Sequence, residues 1–435
     1  MDRMDERAAA PTFGEFIKAF GRIGCLSFGG PAGQIALMQH EIVDRRGWVE
    51  QGAFLRALNL CHLLPGPEAQ QLATWIGWRL FGVRGGLAAG LLFVIPGALV
   101  MLGLSLLYAM AAGLGWFAAL FLGIKAAVLA VVAQALMRVA KRALGTRFKW
   151  VLAALAAIPL TVLHAPFPLV ILGAGVIGAV VSRTRPEWLG AHHAPTAAAD
   201  RAPTHRLVLQ TLGTVAAWGA IWALPLVAVF ALLGPHHVLW QVGLFFSRLA
   251  VVTFGGAYAV LAYMAQQAVS GYGWLMPGEM ADGLGLAETT PGPLIMVTQF
   301  VGFLAAWRHP GELSPLVAGL LGAGLTTWVT FAPCFLWIFA CAPWMERLEH
   351  AERLQGALAA ITAAVVGVIA NLALWFALHV LFRTVTPGGL PVLASLDWRA
   401  ALIAAGAAAM LFGLKRGIME TLAACALGGL ALSAF

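Results

Sequence analysis

Apolar runs of about 20 residues recur along almost the whole chain, and two of its broken stretches are printed twice. A run of that length crosses roughly 30 Å of hydrocarbon as an α-helix. The first pair of breaks is Leu26-Ser27-Phe28-Gly29-Gly30-Pro31 and Leu64-Pro65-Gly66-Pro67-Glu68. Their second copies are Val252-Thr253-Phe254-Gly255-Gly256 and Thr290-Pro291-Gly292-Pro293-Leu294, at a constant offset of 226 residues. Between Phe20/Phe246 and Pro67/Pro293 the two copies align over 48 pairs without a gap, with 16 identities. Arg22/Arg248, Met38/Met264, Gly47/Gly273 and Trp48/Trp274 are among them. This is an internal duplication. Matching breaks in two halves of a hydrophobic chain are the sequence signature of a transporter binding site.

Only 11% of the 435 residues are charged and 61% are hydrophobic. Soluble domains run at about 25% charged, and a membrane barrel needs alternating strands of about ten residues, which do not occur. The chain therefore reads as an all-α polytopic membrane protein. Its net charge of +8 is no nucleic-acid signature, because the basic residues sit in short loops where they set orientation. Cys25, Cys61, Cys334, Cys341 and Cys425 are scattered through apolar segments. They form no C-x-x-C pair or zinc pattern, and no cofactor motif is visible. Residues 1–11 are polar and acid-bearing, which is not the pattern of a cleavable signal peptide.

The expected order is a polar tail over 1–12, a first repeat over 13–182, a cytoplasmic loop over 183–206, a linking transmembrane helix over 207–234 and a second repeat over 235–435. In the first half, apolar spans are expected at about 85–108, 115–137, 149–164 and 166–182. In the second they are expected at about 314–341, 354–382, 397–413 and 417–435. The later part of the duplication continues at an offset of 237, which aligns Gly123-Ile124-Lys125-Ala126-Ala127 with Ala360-Ile361-Thr362-Ala363-Ala364 and Pro96 with Pro333. One lone span between halves of even crossing number turns the second repeat upside down. Arg138, Lys141, Arg142, Arg147, Lys149, Arg183, Arg185, Arg201, Arg206, Lys415 and Arg416 then fall on one side. By the positive-inside rule that side is cytoplasmic, giving a cytoplasmic N-terminus and a periplasmic C-terminus. Counting the broken segments as re-entrant hairpins gives nine crossings, and as full spans thirteen.

Irregular backbone at membrane depth survives only where it is buried in protein or lines a cavity. Pro31 and Pro67 stand where new helices start, and a helix start offers free N–H groups and the positive end of the dipole. Gly29, Gly30, Gly66, Gly255, Gly256 and Gly292 permit close approach of a ligand to the backbone. Pro65, Pro291 and Pro293 complete the breaks, and Ser27, Thr253, Thr289 and Thr290 add hydroxyl donors. Up to four helix ends are thereby expected to face one anion pocket; the alternative is that the motifs are kinks and packing points. Lys125 lies eleven residues into an uncharged span, where an uncompensated charge costs about 2.5–3.5 kcal/mol. It is expected to bind an anion or to form an ion pair, with Glu68 as candidate partner. Arg22 and Arg248 either fork onto an anion's oxygens or snorkel to the interface. Glu68 and Glu288 are proton-coupling candidates, with helix capping as the alternative. Gln70, Gln71, Gln299 and Asn371 line the cavity or bond between helices. Gly173-Ala174-Gly175-Val176-Ile177-Gly178 fits a dinucleotide fingerprint but lies inside an apolar span, so it reads as helix packing. No metal site is expected; His192-His193 and His236-His237 read as solvated loop pairs.

With its duplicated Phe-Gly-Gly and Pro-Gly-Pro motifs, the preceding Arg22 and Arg248, and Trp48 after Gly47, the chain resembles the chromate ion transporter family in its long, two-domain form. The resemblance implies a bacterial inner-membrane protein that exports chromate and confers chromate resistance. It further implies oppositely oriented homologous halves, energy from the membrane potential or proton gradient, and competition by sulfate. One departure is that Ala257-Tyr258, with no proline, follows the second Phe-Gly-Gly. The expected ligands are chromate and sulfate, with the lipid bilayer as surroundings, no nucleic acid and a homodimer compatible with the sequence. Sulfate or other oxyanion import, a passive anion channel and a membrane-bound reductase are the competing functions. Reporter fusions test the orientation. A fluorescent protein inserted within 183–206 should fluoresce, and alkaline phosphatase fused after Phe435 should be active; the reverse pattern rejects it.

Overall fold

The computed structural model describes residues 11–111, 113–163, 165–190, 205–254, 257–349, 351–386 and 390–433. Residues 1–10 of the polar tail, residues 191–204 of the loop with His192-His193, and Gly255 and Gly256 lie outside the described residues. In chain order the first half holds α1 (Phe13–Leu26), α2 (Gly30–Met38), α3 (Gln51–Leu63), α4 (Glu68–Ala111), α5 (Gly115–Ala143), α6 (Arg147–Val162) and α7 (Phe167–Thr184). Then come α8 (His205–Leu233), α9 (Val238–Val252), α10 (Ala257–Gln266), α11 (Glu279–Thr289), α12 (Val297–Arg308) and α13 (Pro315–Cys341). The chain closes with α14 (Met345–Glu349), α15 (Glu352–Leu381), α16 (Trp398–Ala408) and α17 (Ile418–Ser433). No strand longer than an isolated bridge occurs among the described residues. The protein is an all-α polytopic membrane protein, and six of its described helices are long and apolar enough to cross a membrane.

The helix boundaries follow local chemistry. Thr12 and Glu15 close a capping box at the start of α1, satisfying amides the helix cannot pair itself. Ser314 caps α13 with Pro315 just behind it. Within α4, Phe81 and Gly82 leave helical geometry, Gly82 taking a φ of +63°, so this element is two helices folded back at a glycine. The duplicated regions also turn alike. Each has a wide helical turn, over Gln39–Asp44 and Gln267–Gly271. Each then has a left-handed glycine, Gly47 at φ +62° and Gly273 at +66°. Beyond it, Arg46 lies 4.8 Å over the ring of Trp48, and Tyr272 stacks on Trp274 at 4.2 Å.

The chain divides into two compact units. The first comprises Met1–Leu102, Pro195–Gly256 and Thr290–Ala351. Its centre is a pair of helical hairpins, the two arms of α4 and α12 with α13. Each is drawn tight at a bare crossing, Gly77 against the carbonyl of Gly85 and Gly322 against the carbonyl of Gly302. Gly86 and Gly90 of α4 receive the rings of Phe339 and Phe335, and Trp218 of α8 stacks on Phe335 at 5.6 Å.

The second unit comprises Gly103–Ala194, Ala257–Thr289 and Glu352–Phe435. Here α15 packs on α5, α6 and α7, and α5 packs on α11, α16 and α17. Small residues set these crossings, as is usual where helices associate without a hydrophobic drive. Gly123 meets the carbonyl of Cys425, Gly429 that of Ala119, and Gly367 that of Ala153. Gly178 lies against the Gly356 carbonyl, whereas a Cβ on Gly173 would meet nothing within 4 Å. The glycine run over 173–178 is a packing surface. Gly178→Ala is therefore expected to cost about 1–3 kcal/mol through overpacking and to lower the melting temperature of the purified protein. Gly173→Ala should leave it unchanged or raised, and equal effects would deny the crossing its role.

Candidate functional site

All four breaks lie in the first unit, and they are joined crosswise. The Gly66 N–H donates to the carbonyl of Thr253 at 2.8 Å, and the Gly292 N–H donates to the carbonyl of Ser27 at 2.8 Å. Gly66/Gly292 and Ser27/Thr253 are counterparts at the 226-residue offset, so the two bonds are one interaction made twice. Each Pro-Gly-Pro is strapped to the Phe-Gly-Gly break of the other copy. The conformations match as well. Ser27 and Thr253 have φ/ψ of −78°/70° and −80°/88°, and Gly66 and Gly292 both have positive φ, +119° and +91°. Gly97 abuts the Pro291 carbonyl, and a Cβ on Gly66 would lie 2.9 Å from Sγ of Cys334. Gly97 and Cys334 are themselves counterparts, at the 237-residue offset.

This geometry corrects several sequence-based expectations. The amides of Gly66 and Gly292 are consumed by the straps and are not presented to a ligand. Pro65, Gly66, Pro67, Pro291, Gly292 and Pro293 are all buried. Ser27 and Thr253 donate their hydroxyls to the carbonyls of Ile23 and Leu249, each at 2.6 Å, and Thr289 donates to Leu286 at 2.8 Å. A serine or threonine at a helix end bonds back to its own turn when nothing else is near, so these are not ligand donors in this conformation. Thr290 is buried. Pro67 is the N-cap of α4 rather than its first residue, and Pro293 opens a short 3-10 turn over Leu294–Met296 before α12 begins.

Among the described residues, the first Phe-Gly-Gly forms an open break. Gly29 is a left-handed N-cap at φ +82°, no side chain caps α2, and Pro31 sits in its first turn. A Cβ on Gly29 or Gly30 would meet nothing within 4 Å. Arg22 and Arg248 are both exposed on α1 and α9. Behind the breaks, Gln34 donates to the carbonyls of Ser27, at 3.4 Å, and Gly292. Gln71 donates to that of Pro65 at 2.7 Å, and Gln70 donates to Thr74 at 3.1 Å. The side-chain oxygens of Gln34, Gln70 and Gln71 are buried without a partner among the described residues. They are acceptors, so they suit water rather than an oxyanion. Gln299 ties α12 to the Ala98 carbonyl and to Thr327, and Asn371 accepts from Thr161 at 2.9 Å. Both are bonds between helices. Glu68 is half-buried in the first turn of α4, where the dipole favours a carboxylate.

Lys125 and Glu288 belong to the second unit. Lys125 is paired with Asp282 on α11 at 3.2 Å, not with Glu68. The Tyr108 hydroxyl donates to the same carboxylate at 2.7 Å and stands 3.5 Å from Glu279. Glu288 is buried and accepts a hydrogen bond from Tyr258. Sequence reasoning missed Asp282 and Glu279. The available signal was two acids three residues apart in an otherwise uncharged stretch, on one face of a helix.

A sequence profile described as "Chromate transporter" matches residues 14–179 and 240–431. The chain belongs to the chromate transporter family. The chromate transport protein of Pseudomonas aeruginosa is 32% identical over 365 residues, covering 82% of this chain and 79% of its own. That of Cupriavidus metallidurans is 28% identical over 363 residues, covering 83% and 82%. The probable chromate transport protein of Synechococcus elongatus is 28% identical over 355 residues, covering 81% of each. No solved structure is significantly similar. These relatives are transporters, and this transporter is not an enzyme. Because Ser27 and Thr253 spend their hydroxyls inside α1 and α9, Ser27→Ala and Thr253→Val should leave chromate uptake within about twofold of the unaltered level. A tenfold loss in either would show that the hydroxyl reaches the substrate.

Proposed function

We propose that the protein exports chromate across the bacterial inner membrane, driven by the membrane potential with or without a proton gradient, and so confers chromate resistance. The observation that carries the site is the uncapped, open start of α2 at Gly29-Gly30-Pro31, with Arg22 on the preceding helix. An open helix start offers amides and a positive dipole end, and a guanidinium forks onto two oxygens at once. A tetrahedral dianion suits both. Arg248 is the counterpart of Arg22 in the second copy. In this reading the repeats over 13–182 and 235–435 are inverted about the linking helix over 207–234, with the N-terminus cytoplasmic and the C-terminus periplasmic.

The energetics suffice without ATP. Against a potential of about 100 mV, moving two negative charges outward releases about 4.6 kcal/mol. That sustains roughly a 2,000-fold gradient. Sulfate has the same shape and charge and should compete at the same site. The test is labelled chromate uptake into inside-out membrane vesicles. Uptake should follow an imposed potential, saturate, and fall about tenfold or more in Arg22→Ala and Arg248→Ala, the scale of a charged hydrogen bond. Unaltered uptake in both removes the site assignment. Flux that never saturates indicates a channel, and growth on limiting sulfate in place of survival on chromate indicates import.

A further inference from the structure

The side chain of Asp282 is 1% exposed and that of its partner Lys125 27%. Oδ2 of Asp282 accepts from both Lys125 and Tyr108, while Oδ1 is buried without a hydrogen-bond partner among the described residues. Three residues earlier on α11, Glu279 is also buried and accepts the Met276 N–H at 2.7 Å. The Tyr108 hydroxyl stands between the two carboxylates, at 2.7 and 3.5 Å. The four side chains together hold two carboxylates and one ammonium. Fully ionised, these four side chains sum to one negative charge, and two buried carboxylates that share one tyrosine hydroxyl repel each other. A single proton makes them neutral.

We propose that Asp282, Glu279, Tyr108 and Lys125 form a proton-exchange site that binds and releases one proton in each transport cycle. This rests on the reading of the chain as a secondary transporter, and assigns the coupling to residues other than Glu68 and Glu288. The proton comes from water on one side, forms an O–H bond on a carboxylate oxygen, and leaves to water on the other side. Tyr108 links the two acceptors, and the partly exposed Lys125 is the cluster's outer edge. An ammonium inside the ring disfavours a metal cation as the occupant.

On α11 itself, Glu288 accepts a hydrogen bond from Tyr258. On α5 the next cation, Arg138, is thirteen residues further along, about 20 Å at the helical rise. On α17, Glu420 faces Arg416 at 3.8 Å and the Cys425 thiol points at the Ile403 carbonyl. The cluster also exists once. The counterparts of Glu279 and Asp282 are Ala53 and Arg56, and those of Tyr108 and Lys125 are Met345 and Thr362. A duplicated scaffold therefore has one proton site, not two.

The test uses the purified protein in liposomes with the potential clamped at zero. Chromate exchange at equal concentrations moves no net proton and reports transport itself. Net chromate flux under an imposed pH gradient reports coupling. Glu279→Gln and Asp282→Asn each make the cluster neutral without a proton. Both should keep exchange and lose the gradient-driven flux by about tenfold or more, whereas Asp282→Glu should retain it. Gradient-driven flux at the unaltered level in both neutral variants overturns the proposal. If the unaltered protein exchanges no chromate, the transport reading fails instead. A substrate-free measurement then decides the proton site. Acidification should produce an infrared carboxylic-acid band in the unaltered protein that both neutral variants lack, and a band unchanged in both overturns the assignment.

Discussion

Backbone amides and carbonyls at membrane depth have no water to turn to, and four interruptions in apolar helices create that need four times over. The protein meets it by letting the two copies satisfy each other, the Gly66 amide taking the Thr253 carbonyl and the Gly292 amide taking that of Ser27. A helix ending at Ser27 or Thr253 would otherwise bury an orphan carbonyl, at several kcal/mol in hydrocarbon. Neither copy can be relieved alone, because each break needs the opposite kind of break from the other. The glycines are required here for conformation, since both donors have positive φ. The flanking prolines fix the chain on either side. Gln34 adds a side-chain donor to the same junction, bonding both Ser27 and Gly292.

This pairing explains which part of the molecule was legible from its residues. Helix positions followed from the length of apolar runs, and the expected span at about 115–137 falls within α5, the one at about 354–382 within a residue or two of α15. The helix ends at Thr12 and Ser314 and the break at Gly82 rest on local chemistry as well. The destination of the broken backbone is not local. Read one segment at a time, the amides of Gly66 and Gly292 look free for a ligand. Only the crosswise arrangement of the copies shows that a carbonyl 187 or 265 residues away in sequence already holds them. The bonds from the Ser27 and Thr253 hydroxyls to Ile23 and Leu249 are hidden in the sequence for a related reason. A residue that ends a helix can face outward or bond back, and sequence does not distinguish the two.

Duplication also directs attention to what is repeated, and the buried acids are not. Asp282 and Glu279 stand opposite Arg56 and Ala53 in the alignment, so a search for matched pairs passes over them. Lys125 was conspicuous because its setting is uncharged. Its partner was not, because Asp282 lies on a shorter, more polar helix.

The departures from the repeat are concentrated in side chains that carry charge or hydrogen-bond capacity. Gln34 and Gln71 face Val260 and Val297 across the alignment, and Lys125 faces Thr362. The glycines, prolines and Trp48/Trp274, which shape the backbone, are kept. The two copies thus keep the same backbone bends and differ in their charges. An equilibrium between two conformations responds to a ligand only through the difference in its affinity for each. For the proton site proposed above, a fully symmetric set of charges would remove that difference. The single Asp282–Lys125 pair retains it, which is a physical reason for the two copies to differ there.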